Sequence, residues 1–358
     1  MNRSTHAAAG KATPTMPSAL SVSTPTTPTR TGCAPSNSSH ARSSTMNPES
    51  FLRSELAAWP LAAENFSNLE KASAQAVSLT DSEPWRIRKL LVSHRRASIT
   101  AKTDPQSIAA RPCFLCEANR PPEQSAITGH GFQTLVNPYP LARRHYTIAS
   151  ARHEPQRISG HLQEMARLTH EFRDLCVFYN GPLCGASAPD HLHFQAISTE
   201  VAAGLTDPRL PLETIDSSDG CKLLRSVSGA VPYPFFIIDS TDTAALVRCA
   251  DLLLDSLPQA EPEPMVNVAM VMLPDGRLRT FIAPRRHHRP AVYGSGPGKM
   301  LVSPATIEML GTIVCSRPED FERLDLATAT AILGEVSLDE QQFAATIHRY
   351  QQLNTPQQ

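Results

Sequence analysis

The chain has 358 residues, of which 41% are hydrophobic and 19% charged, and its formal net charge is -1. This is ordinary globular composition, long enough for one large domain or two fused smaller ones. The near-neutral charge argues against nucleic-acid binding, and no apolar run approaches the roughly 20 residues of a membrane-spanning helix. Because the N-terminus lacks the apolar core of a secretory signal peptide, we expect a cytoplasmic protein that does not bind membranes.

Residues 1–48 contain no Asp or Glu and are dominated by Ser, Thr, Pro and Ala. Such a segment cannot bury enough apolar surface to offset its ordering entropy, so the sequence predicts a disordered tail. Translation could instead start at Met46, and the acid-poor, Ser-rich composition also fits an organellar transit peptide. The frequent prolines argue against the amphipathic helix of such a peptide, and the choice between Met1 and Met46 stays open.

Residues 49–203 show alternating helix and strand patterns. Residues 49–75 are expected to be helical, and the basic stretch WRIRKLLVSHRRASIT has the pattern of two strands. Further strands are predicted at GFQTLV, HYTIAS, CVFYNG and HLHFQAIS. The clearest helix carries apolar residues at spacings of three and four. These residues are Ile158, Leu162, Met165, Leu168, Phe172 and Leu175.

Residues 204–358 repeat this order of elements. A strand at YPFFIID precedes an amphipathic helix at DTAALVRCADLLLDSL, and two strands flank Pro274-Asp275-Gly276, where glycine allows the positive φ of a hairpin turn. Helices are expected near 304–311 and 338–351. The sum is an α+β fold with mainly antiparallel strand pairing.

The segment HLHFQ at 191–195 carries the main chemical signal. On a strand, successive side chains alternate between faces, so His191, His193 and Gln195 share one face. Leu192 and Phe194 occupy the other, which predicts a strand with a buried back and a polar front. A neutral imidazole there is a good nucleophile toward phosphorus. Two histidines with one residue between them could also serve only the hydrogen bonding of a sheet.

A small-residue loop, GASAPD, precedes these histidines. Its backbone N–H groups could approach an anion closely at Gly185, and Ser187 adds a hydroxyl.

Cys113 and Cys116 stand at the spacing that lets two thiolates bind one tetrahedral ion. The pair could also be redox-active or simply buried. His153 and His191 would complete a Cys2His2 site, in which zinc would be structural because no position stays open for water.

Together these motifs resemble the galactose-1-phosphate uridylyltransferase branch of the histidine-triad (HIT) superfamily. The segment HLHFQA is more similar to the matching segment of GDP-L-galactose phosphorylases and of a bacterial family related to them. The resemblance covers about residues 85–325, including FIAPRRHHRP and LVSPATIEMLG. It implies a HIT-like antiparallel sheet with flanking helices, in two HIT-like halves at 49–203 and 204–358.

Carried over by position, the resemblance makes His193 the nucleophile that becomes nucleotidylated, with Gln195 on the α-phosphate and Gly185 and Ser187 along the phosphate chain. It also places the zinc ligands of the uridylyltransferases on four positions of this chain. These are Cys113, Cys116, His153 and His191.

The chain departs from the uridylyltransferases at two positions. They have proline between the two histidines, where this chain has Leu192, and the extra Asp190 shifts the loop by one residue. The alignment of the loop is therefore open by one residue.

Four further residues are candidates for substrate binding. Arg285 and Arg286 could steady a phosphate, although basic runs are more often solvated turns. Asn137 could hold a base or ribose edge, and Asn180 the nucleotide, although both positions also suit turns.

We expect a nucleotidyltransferase or phosphorylase that acts on a nucleoside-diphosphate sugar or a dinucleotide, with phosphate or a sugar phosphate as acceptor. Hydrolytic HIT members usually carry histidine where this chain has Gln195, which disfavours a dinucleotide hydrolase. A non-catalytic nucleotide-binding regulator with a structural zinc is the alternative from another class. The resemblance also allows a homodimer.

Overall fold

The computed structural model describes residues 41–42, 47–80, 84–218 and 220–355. Most of the tail predicted at 1–48 therefore lies outside the described residues. In the described part of the chain the strands are β1 (Ala41–Arg42), β2 (Val77–Ser78), β3 (Arg88–Leu91), β4 (Ala126–Gly129), β5 (Phe132–Val136), β6 (His145–Ser150), β7 (Leu175–Asn180), β8 (His193–Ser198), β9 (Leu212–Ser218), β10 (Cys221–Ser226), β11 (Phe236–Ser240), β12 (Val266–Met272), β13 (Leu278–Pro284) and β14 (Thr312–Cys315).

The α-helices of these residues flank the strands. They are α1 (Pro48–Ala58), α2 (Pro60–Ser73), α3 (Arg96–Ile99), α4 (Pro105–Ala110), α5 (Leu162–Glu171), α6 (Ala203–Thr206), α7 (Thr243–Ser256), α8 (Thr306–Met309), α9 (Pro318–Arg323), α10 (Leu326–Val336) and α11 (Glu340–Asn354).

Among the described strands, eleven form one sheet in the order β1-β4-β5-β6-β8-β7-β12-β13-β11-β10-β9. Apart from the parallel pair β1–β4, the neighbours in this sheet are antiparallel. Strands β7 and β12 pair directly, so strands from 126–198 and from 212–284 form one continuous sheet. A smaller sheet joins β3 to β2 and, in parallel, to β14. The fold is α+β with a large antiparallel sheet, as predicted.

The central strands of the large sheet pack against a core cluster on each face. On β7, Val177 and Tyr179 join a core cluster with helices α5 and α7, whereas Cys176 and Phe178 join a second cluster with β3, β14 and α10. The alternation of side chains on a strand explains how one strand serves two cores. On β8, Phe194 faces the α5 side, which leaves His193 and Gln195 for the opposite face.

Two details differ from the sequence prediction. The basic stretch forms only one strand, β3. It is followed by a 3-10 helix at Ser93–Arg95 and then by α3. Its polar residues offer no apolar face to bury against the sheet, which explains why a second strand does not form. In addition, β8 begins at His193, so His191 lies just before the strand.

The structure reproduces the predicted hairpin between β12 and β13, where Gly276 has φ +86°. Within the described residues, no helix combines the length and the apolar character needed to cross a membrane.

Candidate active site

A cavity of about 820 Å³ opens on the face of the large sheet that carries Gln195. Side chains of β5, β6, β7 and β8 form its floor, and segments 95–115 and 288–314 form its walls. The candidates His193, Gln195, Asn137 and Asn180 all line it, as do Gly185 and Ser187 of the small-residue loop. The structure thus brings together six residues from three separate stretches of sequence.

His193 is 3% exposed at the start of β8. Its Nδ1 lies 2.8 Å from the carbonyl oxygen of His191. Because a carbonyl only accepts, Nδ1 carries the proton, and Nε2 is left with its lone pair. Burial lowers the pKa of His193 to about 4, so the ring is neutral near pH 7.

A buried glutamine that the sequence did not suggest fixes the backbone around His193. The Gln156 side chain accepts from His193 N at 2.8 Å, and its Nε2 donates to the carbonyl oxygens of His193 and Asn180 at 3.1 and 3.0 Å. These bonds tie the ends of β7 and β8 to each other. The nucleophile candidate is therefore held by the backbone of two strands.

Gln195 lies two residues after His193 on β8 and faces the cavity. Its Oε1 accepts from His145 Nε2 at 2.8 Å and from Asn137 Nδ2 at 3.4 Å. The Asn137 amide is itself oriented, since Oδ1 accepts from Tyr139 N at 2.9 Å. Burial lowers the pKa of His145 to about 3, which keeps that ring neutral.

The small-residue loop approaches another segment closely at Gly185. Its φ is +97°, and a Cβ at this position would lie 2.5 Å from the Cβ of Ala305. Glycine is therefore required both by the backbone conformation and by the contact. Arg111 holds the next part of the loop, donating to the carbonyl oxygen of Ser187 at 3.3 Å and to Asp190 at 3.1 Å.

Asn180 ends β7 in a buried network of polar side chains. Its Oδ1 accepts from Asn267 Nδ2 at 3.1 Å and from the Thr306 N and Oγ1 at 2.9 and 2.7 Å. These bonds engage the Asn180 oxygen with the protein and leave its amide nitrogen as the group able to donate. Asn180 thus offers a hydrogen-bond donor.

The structure does not bring Arg285 and Arg286 into the cavity lining. Arg285 is 3% exposed, and its guanidinium donates to Asn267 Oδ1 at 2.6 Å and to the carbonyl oxygens of Pro304, His287, His288 and Val336. Arg286 donates to Glu335 O and to Asp339. Both cations already have protein partners, so we assign no phosphate contact to either.

The far wall carries charged groups, of which His288 and Arg289 belong to the basic run FIAPRRHHRP and Arg95, Lys102 and Glu308 were not suggested by the sequence. Burial, with the charges of Arg289 and Arg285, lowers the pKa of His288 to about 4. Burial also raises the pKa of Glu308 to about 7. No local pattern marks Arg95, Lys102 and Glu308, because their proximity to the cavity depends on how distant segments pack.

Beside the cavity, four side chains could hold a metal ion: Cys113, Cys116, His153 and His191. One donor atom from each lies within 4.8 Å of the others. His191 Nδ1 is 3.3 and 3.6 Å from the two sulfurs, and His153 Nδ1 is 3.3 Å from the sulfur of Cys116. Tetrahedral zinc bonds imply separations of about 3.3–3.8 Å between ligand atoms, so the measured distances fit.

The outer nitrogens of these histidines are also oriented. His191 Nε2 lies 2.8 Å from the carbonyl oxygen of Ser150 and therefore carries its proton, which leaves Nδ1 free to bind a metal. His153 Nε2 lies 3.7 Å from Asp190.

Comparison with known proteins matches two parts of the chain to family models. Residues 51–198 match the model described as Domain of unknown function (DUF4922), and residues 235–352 match the model described as GDPGP1-like, C-terminal domain. The resemblance predicted from the sequence is confirmed at the level of these two domain models. The range matched to the DUF4922 model contains the histidines and the candidate metal ligands, and the range matched to the GDPGP1-like model contains part of the far wall.

Solved structures show distant likeness. The crystal structure of yeast Ap4A phosphorylase Apa2 is 18% identical with a TM-score of 0.44, covering 78% of this chain and 96% of that one. Its complex with AMP is 17% identical with a TM-score of 0.43, covering 77% and 96%. A DUF4931 family protein from Bacillus cereus ATCC 10987 is 14% identical with a TM-score of 0.36, covering 46% and 87%. A search of curated proteins gives no match.

Proposed function

We propose that the protein is a phosphorylase-type nucleotidyltransferase in which His193 carries the nucleotide covalently. The observation that supports this most directly is the bond from His193 Nδ1 to the carbonyl oxygen of His191 at 2.8 Å. It leaves an unprotonated Nε2 on a fixed ring that lines the cavity. An imidazole nitrogen in this state attacks phosphorus without first losing a proton.

The reaction has two displacements at one phosphorus. His193 Nε2 forms a bond to the α-phosphorus of a nucleoside-diphosphate sugar or dinucleotide, and the bond from that phosphorus to the bridging oxygen breaks. A sugar phosphate or a nucleotide leaves with the electron pair. An oxygen of inorganic phosphate then attacks the same phosphorus, the P–N bond breaks, and a nucleoside diphosphate is released with either donor. A sugar phosphate as acceptor gives the corresponding nucleotidyl transfer.

The residues around His193 supply placement and hydrogen bonds. The amide residues Gln195 and Asn180 line the cavity, as do Gly185 and Ser187 of the small-residue loop, whose backbone N–H groups we propose as further donors. Such donors stabilise the negative charge on the transferring phosphoryl group. The cations Arg95, Lys102 and Arg289 on the far wall fit the anionic acceptor or leaving group.

We further propose that Cys113, Cys116, His153 and His191 hold a structural zinc ion. The two thiols and two Nδ1 atoms form a complete tetrahedral donor set, so the ion would contribute stability and leave no position for substrate. It would fix the segment before β8, and with it the carbonyl oxygen that orients His193.

Intact-protein mass spectrometry tests the function. The full chain is incubated without phosphate with ADP-glucose, GDP-glucose, UDP-glucose and diadenosine tetraphosphate. We expect a mass gain of one nucleoside monophosphate with one of these donors, absent in His193→Ala and retained in His170→Ala, which removes an exposed histidine of α5. Nucleotide binding without an adduct would favour the regulator. An adduct discharged by water as fast as by phosphate would favour the hydrolase.

A further inference from the structure

His145 contacts the candidate phosphate-binding glutamine but does not line the cavity. It is fully buried at the start of β6, and its Nε2 lies 2.8 Å from Gln195 Oε1. Its other nitrogen, Nδ1, accepts from the backbone N–H of Leu141 at 3.1 Å. The ring therefore lies between a backbone donor and a side-chain amide.

The Leu141 contact determines the tautomer of His145. A backbone N–H only donates, so Nδ1 must be unprotonated and Nε2 must carry the ring proton. That proton can be given only to an acceptor, which makes the neighbouring Gln195 atom Oε1 and not Nε2. Asn137 Nδ2, at 3.4 Å, requires the same orientation of the Gln195 amide.

The orientation has a consequence for ligand binding. With Oε1 turned toward β6, the Gln195 NH2 group faces the cavity, where it can donate to an anionic oxygen. In the flipped amide, the carbonyl oxygen would face the ligand and repel a phosphoryl group. Gln195 alone does not determine which end it presents.

We propose that His145 is a positioning residue that commits the Gln195 amide to donate to a phosphoryl oxygen of the nucleotide. The proposal rests on the proposed function, since it assumes that a phosphoryl group occupies the site. His145 itself touches neither the substrate nor the reacting atoms.

Two substitutions separate this role from a structural one. In His145→Gln the amide nitrogen can replace Nε2 as a donor to Gln195, but the acceptor for Leu141 is lost. In His145→Asn the side-chain oxygen can replace Nδ1 as that acceptor, but the donor to Gln195 is lost. His94→Met serves as a control. The His94 ring lies near His145 and hydrogen-bonds to the carbonyl oxygen of Pro140, and it does not line the cavity.

The readout is the single-turnover rate of adduct formation, measured with the sugar nucleotide or dinucleotide that labels the wild-type protein. We expect His145→Asn to lower the rate about 100-fold, the scale of losing one transition-state donor, and His145→Gln to stay within about 10-fold of wild type. The apparent dissociation constant of the donor should change much less than the rate. The reverse order of the two variants, or equal rates in both, would overturn the proposal.

A second measurement does not depend on activity and needs only one of the two variants to fold. In the full chain labelled with 15N-histidine, His145 should show the tautomer protonated at Nε2, with its signal assigned by its absence in His145→Gln or His145→Asn. A ring protonated at Nδ1 would overturn the proposal even if adducts form. Without any wild-type adduct the proposed function fails, and the tautomer alone decides whether His145 orients Gln195.

Discussion

Two atoms of His191 have separate roles, and one of them, the backbone carbonyl oxygen, orients His193. The ring Nδ1 of His191 faces the sulfurs of Cys113 and Cys116, while its carbonyl oxygen accepts from His193 Nδ1 at 2.8 Å. The orientation of the proposed nucleophile therefore depends on a residue of the candidate metal cluster. This links the stability of that cluster to the geometry of the cavity without giving a metal any part in the reaction.

The Cys2His2 cluster should bind one zinc ion per chain. We expect Cys116→Ala to lose the ion and to lower the melting temperature, because metal binding and folding are coupled at structural sites. Cys176→Ala, which removes a buried thiol of β7 outside the cluster, should keep the metal. Inductively coupled plasma mass spectrometry of purified protein measures the metal content, and equal zinc in both variants would contradict the assignment.

Gly185→Ala should destabilise the protein more than Gly160→Ala. Both glycines have positive φ, +97° and +79°, so both variants incur backbone strain. Only at Gly185 does an added Cβ meet another atom, Ala305 Cβ at 2.5 Å. Urea unfolding should show an extra loss of about 1–3 kcal/mol for Gly185→Ala, as for other overpacked sites. Equal losses would show that the close approach to Ala305 does not matter.

Arg285→Ala should lower the free energy of unfolding, and Arg286→Ala should leave it nearly unchanged. Removing Arg285 leaves Asn267 Oδ1 and several buried carbonyl oxygens without their donor, and we expect a loss of about 2–4 kcal/mol. Arg286 is partly exposed, so its loss should cost about 0.5 kcal/mol or less. Chemical denaturation measures both. A stable Arg285→Ala protein that binds phosphate weakly would restore the sequence-based prediction of a phosphate contact.

Glu308 should make stability fall with rising pH. Its pKa is raised by burial to about 7 in the folded protein, against an ordinary value of 4.5. Between these values the folded state holds a proton that the unfolded state has lost, so stability decreases from about pH 4.5 to pH 7 and then levels off.

The variant Glu308→Gln should lack this contribution. Its stability relative to wild type should therefore increase by up to about 3 kcal/mol over the same interval. Urea midpoints at pH 5, 6, 7 and 8 test this, with the exposed Glu70→Gln as control. Parallel pH profiles for wild type and Glu308→Gln would contradict it.

The sequence predicts most elements because their signals are local. The alternation around Leu192 and Phe194 indicates which face of β8 is polar, and Pro274-Asp275-Gly276 marks a hairpin through its turn geometry. The basic stretch is predicted as two strands but forms only β3, because the polar residues after β3 offer no apolar face to bury against a sheet.

The site is only partly readable from sequence. The residues next to His193 can be predicted from the sequence, because they lie on the same strand or on the loop before it. The roles of Gln156, His145 and Glu308 cannot be predicted, because a polar residue gains such a role only when packing buries it against a partner from another segment. Arg285 shows the converse, since a basic run that resembles a phosphate site becomes a buried donor to backbone carbonyls.

Locating the covalent nucleotide tests the central claim most directly. The full chain is labelled with the donor that gives an adduct, digested at alkaline pH, where phosphoramidates persist, and analysed by tandem mass spectrometry. The nucleotidyl group should be found on His193, and inorganic phosphate added before digestion should remove it as a nucleoside diphosphate. A label on another residue such as His288, or turnover without a label on His193, would contradict the mechanism.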